Sequence, residues 1–380
     1  MTSLSALDDR IQRLIDRSVD VGYETAVQVA VFHGGDQVVD AVAGLADPDT
    51  GAAAATDTLF FAASTAKGIA SIVAHALVER GSLDYSMRLA DVWPAFGAHG
   101  KIDVTLEHVL LHTAGVPFPP AGVDVPTLCD WNRMCEALAA TPPAWKAGVR
   151  LGYHAVTFGF LLGETVRRAT GRTLSDWLNE IVSEPLGVAP HVHFGVPNVH
   201  LARVAQQVEL KPAPQPAVGS PMDRALPLAI RPDARYANDR GVLSAEIPSQ
   251  GVMSATGAAA VYASVLGQFP AHRPIGPERL RRMAEVRLRT FDVVAEIDSA
   301  WAFGFAPYRP AADAATPGSC FGMVGMNGSA AYADIDSDVA VAVMRNRFDP
   351  TSFSTIEHVD RLVRETYPGS RARADEGATE

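Results

Sequence analysis

Residues 60–81, FFAASTAKGIASIVAHALVERG, carry the strongest structural signal in this chain of 380 residues. Two aromatic residues typical of a strand precede a run of small apolar residues that predicts a helix, and Gly81 is placed to end that helix. Ser64 and Lys67 lie at its start. Because side chains three residues apart share one face of a helix, the Ser64 hydroxyl and the Lys67 amine can meet.

This serine–lysine spacing suggests a chemical function. A serine hydroxyl is a weak nucleophile until a base removes its proton. A lysine can be that base when it is uncharged, and burial near the positive end of a helix dipole disfavours its charged form. The SxxK pattern therefore supplies a nucleophile and a candidate base within one helical turn. The structural alternative is that Ser64 caps the helix and Lys67 is solvated.

Strand patterns lie near both ends of the chain. Apolar residues at helical spacing predict a helix over residues 3–20. The runs AVQVAVF and QVVDAVAG are separated by a Gly-Gly turn at residues 33–36, which indicates a β-hairpin. Strand-like runs return late in the chain as AWAFGFAPY, GSAAYADID and DVAVAVMRNRF, and the amphipathic run SFSTIEHVDRLVRETY predicts a last helix.

The middle of the chain is mostly helical, with Pro-rich loops. The predicted architecture is therefore α+β: an antiparallel sheet built from both ends of the chain, flanked by the terminal helices, with an inserted helical lobe. We expect a discontinuous sheet lobe from residues 1–88 and 285–367 and a helical lobe from residues 89–284. Residues 368–380 are polar and are expected to form a flexible tail.

Composition excludes several classes of function. A formal net charge of -11 argues against nucleic acid as a ligand, because phosphate binding needs a basic face. No apolar run approaches the roughly 20 residues that span a bilayer. The first residues lack the features of a secretory signal, so a soluble cytoplasmic protein without a membrane partner is expected.

Metal and cofactor signals are weak. The three cysteines lack CxxC spacing. His108 and His112 have the spacing of two metal ligands on a helix, but HExxH is absent and there is no evident third ligand. No GxSxG, Walker or Rossmann pattern occurs, which disfavours an α/β-hydrolase and a nucleotide-binding enzyme. Neither a cofactor nor a metal is expected. Trp131, Trp145 and Trp301 could line an acyl pocket, although packing roles are the more common alternative.

Several segments together resemble the serine β-lactamase-like superfamily. They are STAK after FFAAS, VTLEHVLLHTAGV, PAWKAGVRLGYHAVTFGFLLGETVRRATGRTLSDWLNEIVSEPLGV and FGMVGMNGSAAYADIDSDVAVAVMRNRF. They look like the class C-like branch, which includes family VIII carboxylesterases and related transesterases. The resemblance covers roughly residues 20–365 in the same order and implies a β-lactamase/transpeptidase-like fold.

The resemblance implies an acyl-enzyme mechanism. Ser64 matches the nucleophile, Lys67 its base, and Tyr153 the tyrosine of the family's Y-x-N position, although taken alone Tyr153 could be a packed aromatic residue. The backbone N–H groups of Ser64 and Met326 would form the oxyanion hole, where each donor contributes roughly 3–4 kcal/mol.

The chain also departs from the family pattern. Ala155 stands where β-lactamases keep an Asn, and Met323-Val324-Gly325 replaces the Lys-Thr-Gly or His-Thr-Gly triplet. The groups that would hold a β-lactam carboxylate are therefore missing. His154 and the three residues of the triplet are candidates for an apolar substrate pocket.

An uncharged ester or amide is accordingly the expected small-molecule substrate, and a carboxylesterase is the first choice. A transacylase that passes the acyl group to an amine or alcohol shares the same first half-reaction and stays open. A β-lactamase is less favoured. The fourth possibility is a degenerate member that binds a ligand without turnover.

Overall fold

The computed structural model describes residues 3–307 and 319–369. Its helices are α1 Ser3–Asp20, α2 Thr65–Glu79, α3 Leu89–Val92, α4 Leu106–Leu110, α5 Val125–Cys129, α6 Trp131–Ala140, α7 Thr157–Thr170, α8 Leu174–Leu178, α9 Pro221–Ala225, α10 Ala234–Ala237, α11 Arg240–Ser244, α12 Ala255–Leu266, α13 Pro277–Ala284 and α14 Ser354–Thr366. Its strands are β1 Ala26–His33, β2 Asp36–Asp47, β3 Ala52–Ala53, β4 Phe60–Phe61, β5 Val192–His193, β6 Val252–Met253, β7 Leu288–Asp292, β8 Ile297–Trp301, β9 Cys320–Val324, β10 Ala330–Asp334 and β11 Val339–Arg345.

The main sheet joins the two ends of the chain. Within the described ranges it contains six strands in the order β3-β2-β1-β11-β10-β9, all antiparallel. The central pairing sets Val31 opposite Val341. The β1–β2 turn uses Gly34 and Gly35 at φ 61° and 94°, a backbone region that glycine enters without steric cost. The expected α+β fold is confirmed.

Alternation along β11 gives the sheet two different faces. Val339, Val341 and Val343 pack in the layer that contains residues of α1 and α14, whereas Ala340 and Ala342 belong to the main core on the other face. Because successive strand residues point to opposite faces, the larger Val side chains fill the space on the α1 and α14 side of the sheet. The smaller Ala side chains leave space on the other side. The small side chains let the Ala-rich helix α12 pack closely against the sheet.

A smaller sheet of short strands brings distant segments to the start of α2. Its order is β4-β6-β5, and β4 pairs Phe60 with Met253. The N–H of Ala62, just after β4, donates to the Gly251 carbonyl at 2.8 Å. The loop that precedes β6 is thereby fixed beside the first turn of α2.

One predicted strand differs in the structure. The segment AWAFGFAPY does not form a strand of the main sheet: only its first two residues belong to β8, which pairs with β7 in a separate hairpin. Gly304, at φ 79°, turns the chain immediately afterwards, and Tyr308 lies outside the described residues. Of the tail predicted to be flexible, residues 370–380 also lie outside them. The predicted lobe boundaries stay a prediction.

None of the helices in the described ranges combines the length and the apolar character that crossing a membrane requires.

Candidate active site

Ser64 lies at a sharp junction between strand β4 and helix α2. Ala63 has φ 46°, a left-handed conformation that costs a residue with a Cβ about 1 kcal/mol. Ser64 itself is already helical, at φ -65° and ψ -9°, and its side chain makes no capping hydrogen bond. Ser64 thus occupies the N-cap position of α2, but its side chain does not cap the helix, and the hydroxyl is available for other partners.

Lys67 is buried against Ser64. Its Nζ lies 2.9 Å from Ser64 Oγ and 2.8 Å from the Ser249 carbonyl oxygen, and the residue is 1% exposed. Burial lowers the pKa of Lys67 from 10.5 to about 7, because the charged form loses its hydration. A large fraction of Lys67 is thus uncharged at neutral pH, and the alternative of a solvated lysine is wrong.

Tyr153 completes the contact around the serine. Its Oη donates to Ser64 Oγ at 2.8 Å, and Lys67 Nζ lies 5.1 Å from the centre of its ring. Burial raises the pKa of Tyr153, so the phenol is neutral. With the Tyr153 O–H donated to Ser64, the serine proton is free to point at the lone pair of an uncharged Lys67.

Asp292 and Trp301 hold Tyr153 in position, and the sequence alone did not predict this role for either residue. Asp292, at the end of β7, accepts the backbone N–H of Tyr153 through Oδ1 at 3.1 Å and those of Val294 and Ala295 at 2.8 and 2.9 Å. The ring of Trp301 stacks on Tyr153 with centroids 5.9 Å apart. Both lie far along the chain from Tyr153, so no local pattern could have indicated them.

The two backbone amides predicted to form an oxyanion hole are both available. Neither the Ser64 N–H nor the Met326 N–H donates to any residue that the structure describes. Both residues line the same cavity. Both N–H groups are therefore available to donate to a substrate oxygen. Their role as an oxyanion hole stays a prediction.

Asn327 links the turn after β9 to the start of α2. Its Nδ2 donates to the Phe61 carbonyl at 2.7 Å, and Thr65 Oγ1 donates to the Ser329 carbonyl at 3.0 Å. These buried bonds fix the position of Met326 relative to Ser64. Asn327 is 0% exposed, so its side chain serves a structural role in this turn.

His112 packs behind the site and does not act with His108. Its Nδ1 accepts the backbone N–H of His154 at 3.0 Å, and its ring lies 4.9 Å from that of Tyr153 and 4.3 Å from that of Trp301. Burial, followed by the neighbouring His154 and Lys67, lowers the pKa of His112 well below its ordinary value. His108 instead caps helix α4 through Thr105. No group of three metal-ligating side chains occurs among the described residues.

The structure brings together all the predicted site residues except His154. Met323, Val324 and Gly325 line the cavity with Ser64 and Tyr153. His154 instead is 0% exposed, donates from Nδ1 to the Gly152 carbonyl at 2.6 Å and accepts the Val116 N–H at Nε2 at 3.1 Å. It therefore does not face substrate, because both ring nitrogens are used to hold the loop before α7.

The cavity beside Ser64 is large and mainly apolar. It has a volume of about 630 Å³ and is lined by Trp301, Met323, Leu226 and Phe353 among others. Of the tryptophans considered for this pocket, Trp301 lines it, whereas Trp131 donates to buried Glu164 at 2.8 Å. A cavity of this size can enclose a drug-sized organic molecule.

Similarity to known proteins agrees with this geometry. Esterase/beta-lactamase LipL of Mycobacterium tuberculosis (strain ATCC 25618 / H37Rv) is 29% identical over 378 residues, covering 92% of this chain and 85% of LipL. A solved family VIII carboxylesterase has 30% identity and a TM-score of 0.83, covering 94% of this chain and 97% of that one. A penicillin-binding protein homolog from Caulobacter crescentus has 29% identity and a TM-score of 0.85, covering 95% and 97%.

Fold and relatives together define a serine hydrolase built on the β-lactamase fold. The chain belongs to the Beta-lactamase family, whose model matches residues 11–365.

Proposed function

We propose that this protein is a carboxylesterase that cleaves uncharged esters through an acyl-enzyme on Ser64. The observation that carries the proposal is the position of Lys67: a buried amine with a pKa of about 7, 2.9 Å from Ser64 Oγ. Such a group can accept a proton at neutral pH, which an ordinary lysine cannot do.

Acylation follows from these contacts. Lys67 Nζ takes the Ser64 proton while Oγ attacks the ester carbonyl carbon, and the carbonyl oxygen becomes an oxyanion held by the N–H groups of Ser64 and Met326. When the tetrahedral intermediate collapses, the bond to the alcohol oxygen breaks. The leaving alkoxide takes the Tyr153 proton, and the Lys67 ammonium then gives its proton to the Tyr153 phenolate, so that both side chains return to their starting charge. The alcohol departs and Ser64 is an ester.

Deacylation reverses these roles with water as the nucleophile. Lys67, again uncharged, takes a proton from water as the water oxygen attacks the acyl carbonyl, while Tyr153 stays a neutral phenol. Collapse breaks the bond to Ser64 Oγ, which takes the proton from the Lys67 ammonium, and the carboxylic acid leaves. No cofactor is needed for either half of this cycle, because every proton is carried by a side chain already in contact with Ser64 Oγ.

The preference for an uncharged substrate rests on the cavity wall. Met323 and Val324 occupy the positions where the family triplet has a cation or hydrogen-bonding group and a hydroxyl. Arg231, a cation that lines the cavity, is already paired with Asp223 at 2.5 Å. An anionic substrate would therefore lose its hydration without gaining a free partner. This weighs against a β-lactam carboxylate.

The test is covalent labelling at position 64. Incubation with p-nitrophenyl butyrate should give a burst of nitrophenol, and rapid acid quenching should show a butyryl adduct on Ser64 by peptide mass spectrometry. Ser64→Ala should lose both signals. Ser71→Ala, a matched change one helical turn beyond Lys67, should keep them. Turnover without any adduct on Ser64 would contradict the mechanism.

Transacylation is a second candidate, favoured by the largely apolar cavity, which can bind an organic acceptor and limit access of water. Incubating a methyl ester with and without a primary amine separates the two outcomes. Amide as the main product, detected by mass spectrometry, would identify a transacylase, whereas acid in both reactions identifies an esterase. Hydrolysis of a chromogenic cephalosporin at a rate comparable to ester cleavage would instead favour a β-lactamase.

A further inference from the structure

A large part of the cavity wall comes from one segment, residues 213–232, called the cap below. It contributes the apolar side chains of Met222, Leu226, Leu228 and Ile230 to the cavity. The cap has little regular structure, namely the short helix α9 and a single 3₁₀ turn at Leu228–Ile230. Its shape therefore depends on side-chain contacts more than on backbone hydrogen bonds.

Arg231 supplies these contacts. Its guanidinium donates from Nη1 to Gln215 Oε1 at 2.6 Å, from Nη2 to Asp223 Oδ1 at 2.5 Å and from Nε to the Leu226 carbonyl at 2.8 Å. Its side chain is 9% exposed. One residue thus ties together the beginning, the helix and the end of the cap.

Asp223 extends the same cluster. Its Oδ2 accepts the backbone N–H of Gly219 at 2.8 Å, and Ser220 caps α9 by accepting the Asp223 N–H at 3.3 Å. A second anchor lies outside the cluster, where the Arg224 guanidinium stacks 3.8 Å above the Phe118 ring. Without Arg231 the cap would stay attached at α9, but its apolar end at Leu226–Ile230 would lose its fixed position.

We propose that Arg231 is a positioning residue that fixes the shape of the cap where it lines the cavity beside Ser64, and so makes the enzyme selective for esters with a large, uncharged, apolar group. This inference rests on the proposed esterase function and adds the substrate class. Because Asp223 balances its charge, Arg231 shapes the wall without serving as an anion site. The apolar side chains that it positions then contact the long part of the substrate, while small esters react without them.

The experiment compares Arg231→Met with Arg235→Met, which removes an exposed arginine on α10 that pairs with no described residue. Kinetics are measured with p-nitrophenyl acetate and p-nitrophenyl octanoate. Arg231→Met should lower kcat/KM for the octanoate about tenfold, mainly through KM, since losing contact with about two methylene groups has that effect. The acetate should change less than threefold, and Arg235→Met should leave both substrates unchanged.

A second variant tests whether the two residues act together. Asp223→Asn should weaken octanoate hydrolysis in the same direction, and adding it to Arg231→Met should cause little further loss. Equal losses for acetate and octanoate, or no loss for either, would overturn the proposal.

Binding measurements keep this proposal separate from the proposed function. On the Ser64→Ala background, calorimetry with 2-decanone, an uncharged analogue that cannot be cleaved, should show about tenfold weaker binding after Arg231→Met. Unchanged binding would overturn the role of the cap even if esters are hydrolysed, and weakened binding would support it even if no ester is cleaved. Decanoate binding more tightly than 2-decanone, and losing that advantage in Arg231→Met, would show an anion site and also overturn the proposal.

Discussion

Replacing Lys67 with Met should stabilise the protein at neutral pH while removing its activity. Lys67 is 1% exposed and its pKa is lowered from 10.5 to about 7 by burial. A difference of this size makes protonated Lys67 about 5 kcal/mol less favourable in the folded protein than in the unfolded chain. Methionine fills a similar volume and carries no charge, so its burial does not incur this desolvation free energy.

The sign of the pH dependence follows from proton binding. Between pH 7 and 10.5 the unfolded chain holds a proton on Lys67 that the folded protein has released. Wild-type stability therefore gains from rising pH in this window, and the advantage of Lys67→Met shrinks. From pH 7 to 9.5 the difference in unfolding free energy between variant and wild type should fall by about 3 kcal/mol.

Lys67→Met also has a constant cost. The Ser249 carbonyl loses the donor at 2.8 Å, and leaving a buried acceptor unpaired costs about 1–3 kcal/mol. The net gain at pH 7 should therefore be roughly 2–4 kcal/mol. The free-energy cost of the unpaired Ser249 carbonyl does not depend on pH. Any pH dependence of the stability difference between variant and wild type therefore comes from the titration of Lys67.

Equilibrium urea unfolding at pH 7, 8 and 9.5 measures the effect. Lys146→Met, the same substitution at an exposed lysine, is the control and should show a small difference that does not vary over this range. If the free-energy difference for Lys67→Met is the same at pH 7 and pH 9.5, Lys67 does not titrate near neutral pH and cannot be the base proposed above.

Three further predictions concern the site and the core. The value of kcat/KM should fall about tenfold per pH unit below pH 7 and level off above it, because protonated Lys67 cannot accept the serine proton; a profile flat from pH 5 to 9 would contradict this. Tyr153→Phe should lower kcat by about 10² to 10⁴ in steady-state assays, and a loss below threefold would remove Tyr153 from the proton path. Glu24→Gln should destabilise the fold by about 3–5 kcal/mol in urea unfolding, because it leaves Arg345, 1% exposed and paired with Glu24 at 3.1 Å, buried and uncompensated; no change in midpoint would refute this account.

The local features of the site could be predicted from the sequence. Ser64 and Lys67 are in contact because they lie three residues apart on one helical turn, and this spacing alone is enough to predict the contact. The hairpin around Gly34 and Gly35 was likewise predictable, since two adjacent glycines between strand-like runs favour one kind of turn. The resemblance to a known family supplied Tyr153, which spacing alone could not.

Two predictions failed where neighbouring segments override local pattern. The run AWAFGFAPY has the composition of a strand, but Gly304 turns the chain after β8. His154 stands next to Tyr153 in sequence, yet its ring points into the interior, where it bonds to Gly152 and Val116. Adjacent residues in an irregular loop do not share a predictable direction, and only packing selects which one faces the cavity.

The contact between the Ser64 hydroxyl and the Lys67 amine at the start of α2 depends only on residues three positions apart, so it could be predicted from the sequence. The basicity of the Lys67 amine could not be predicted in this way. It depends on burial by segments hundreds of positions apart, on the Ser249 carbonyl brought in by the β4–β6 pairing, and on Asp292 and Trp301 behind Tyr153. Desolvation is a sum over all surrounding atoms, so the shift that turns Lys67 into a base arises only once the chain has folded.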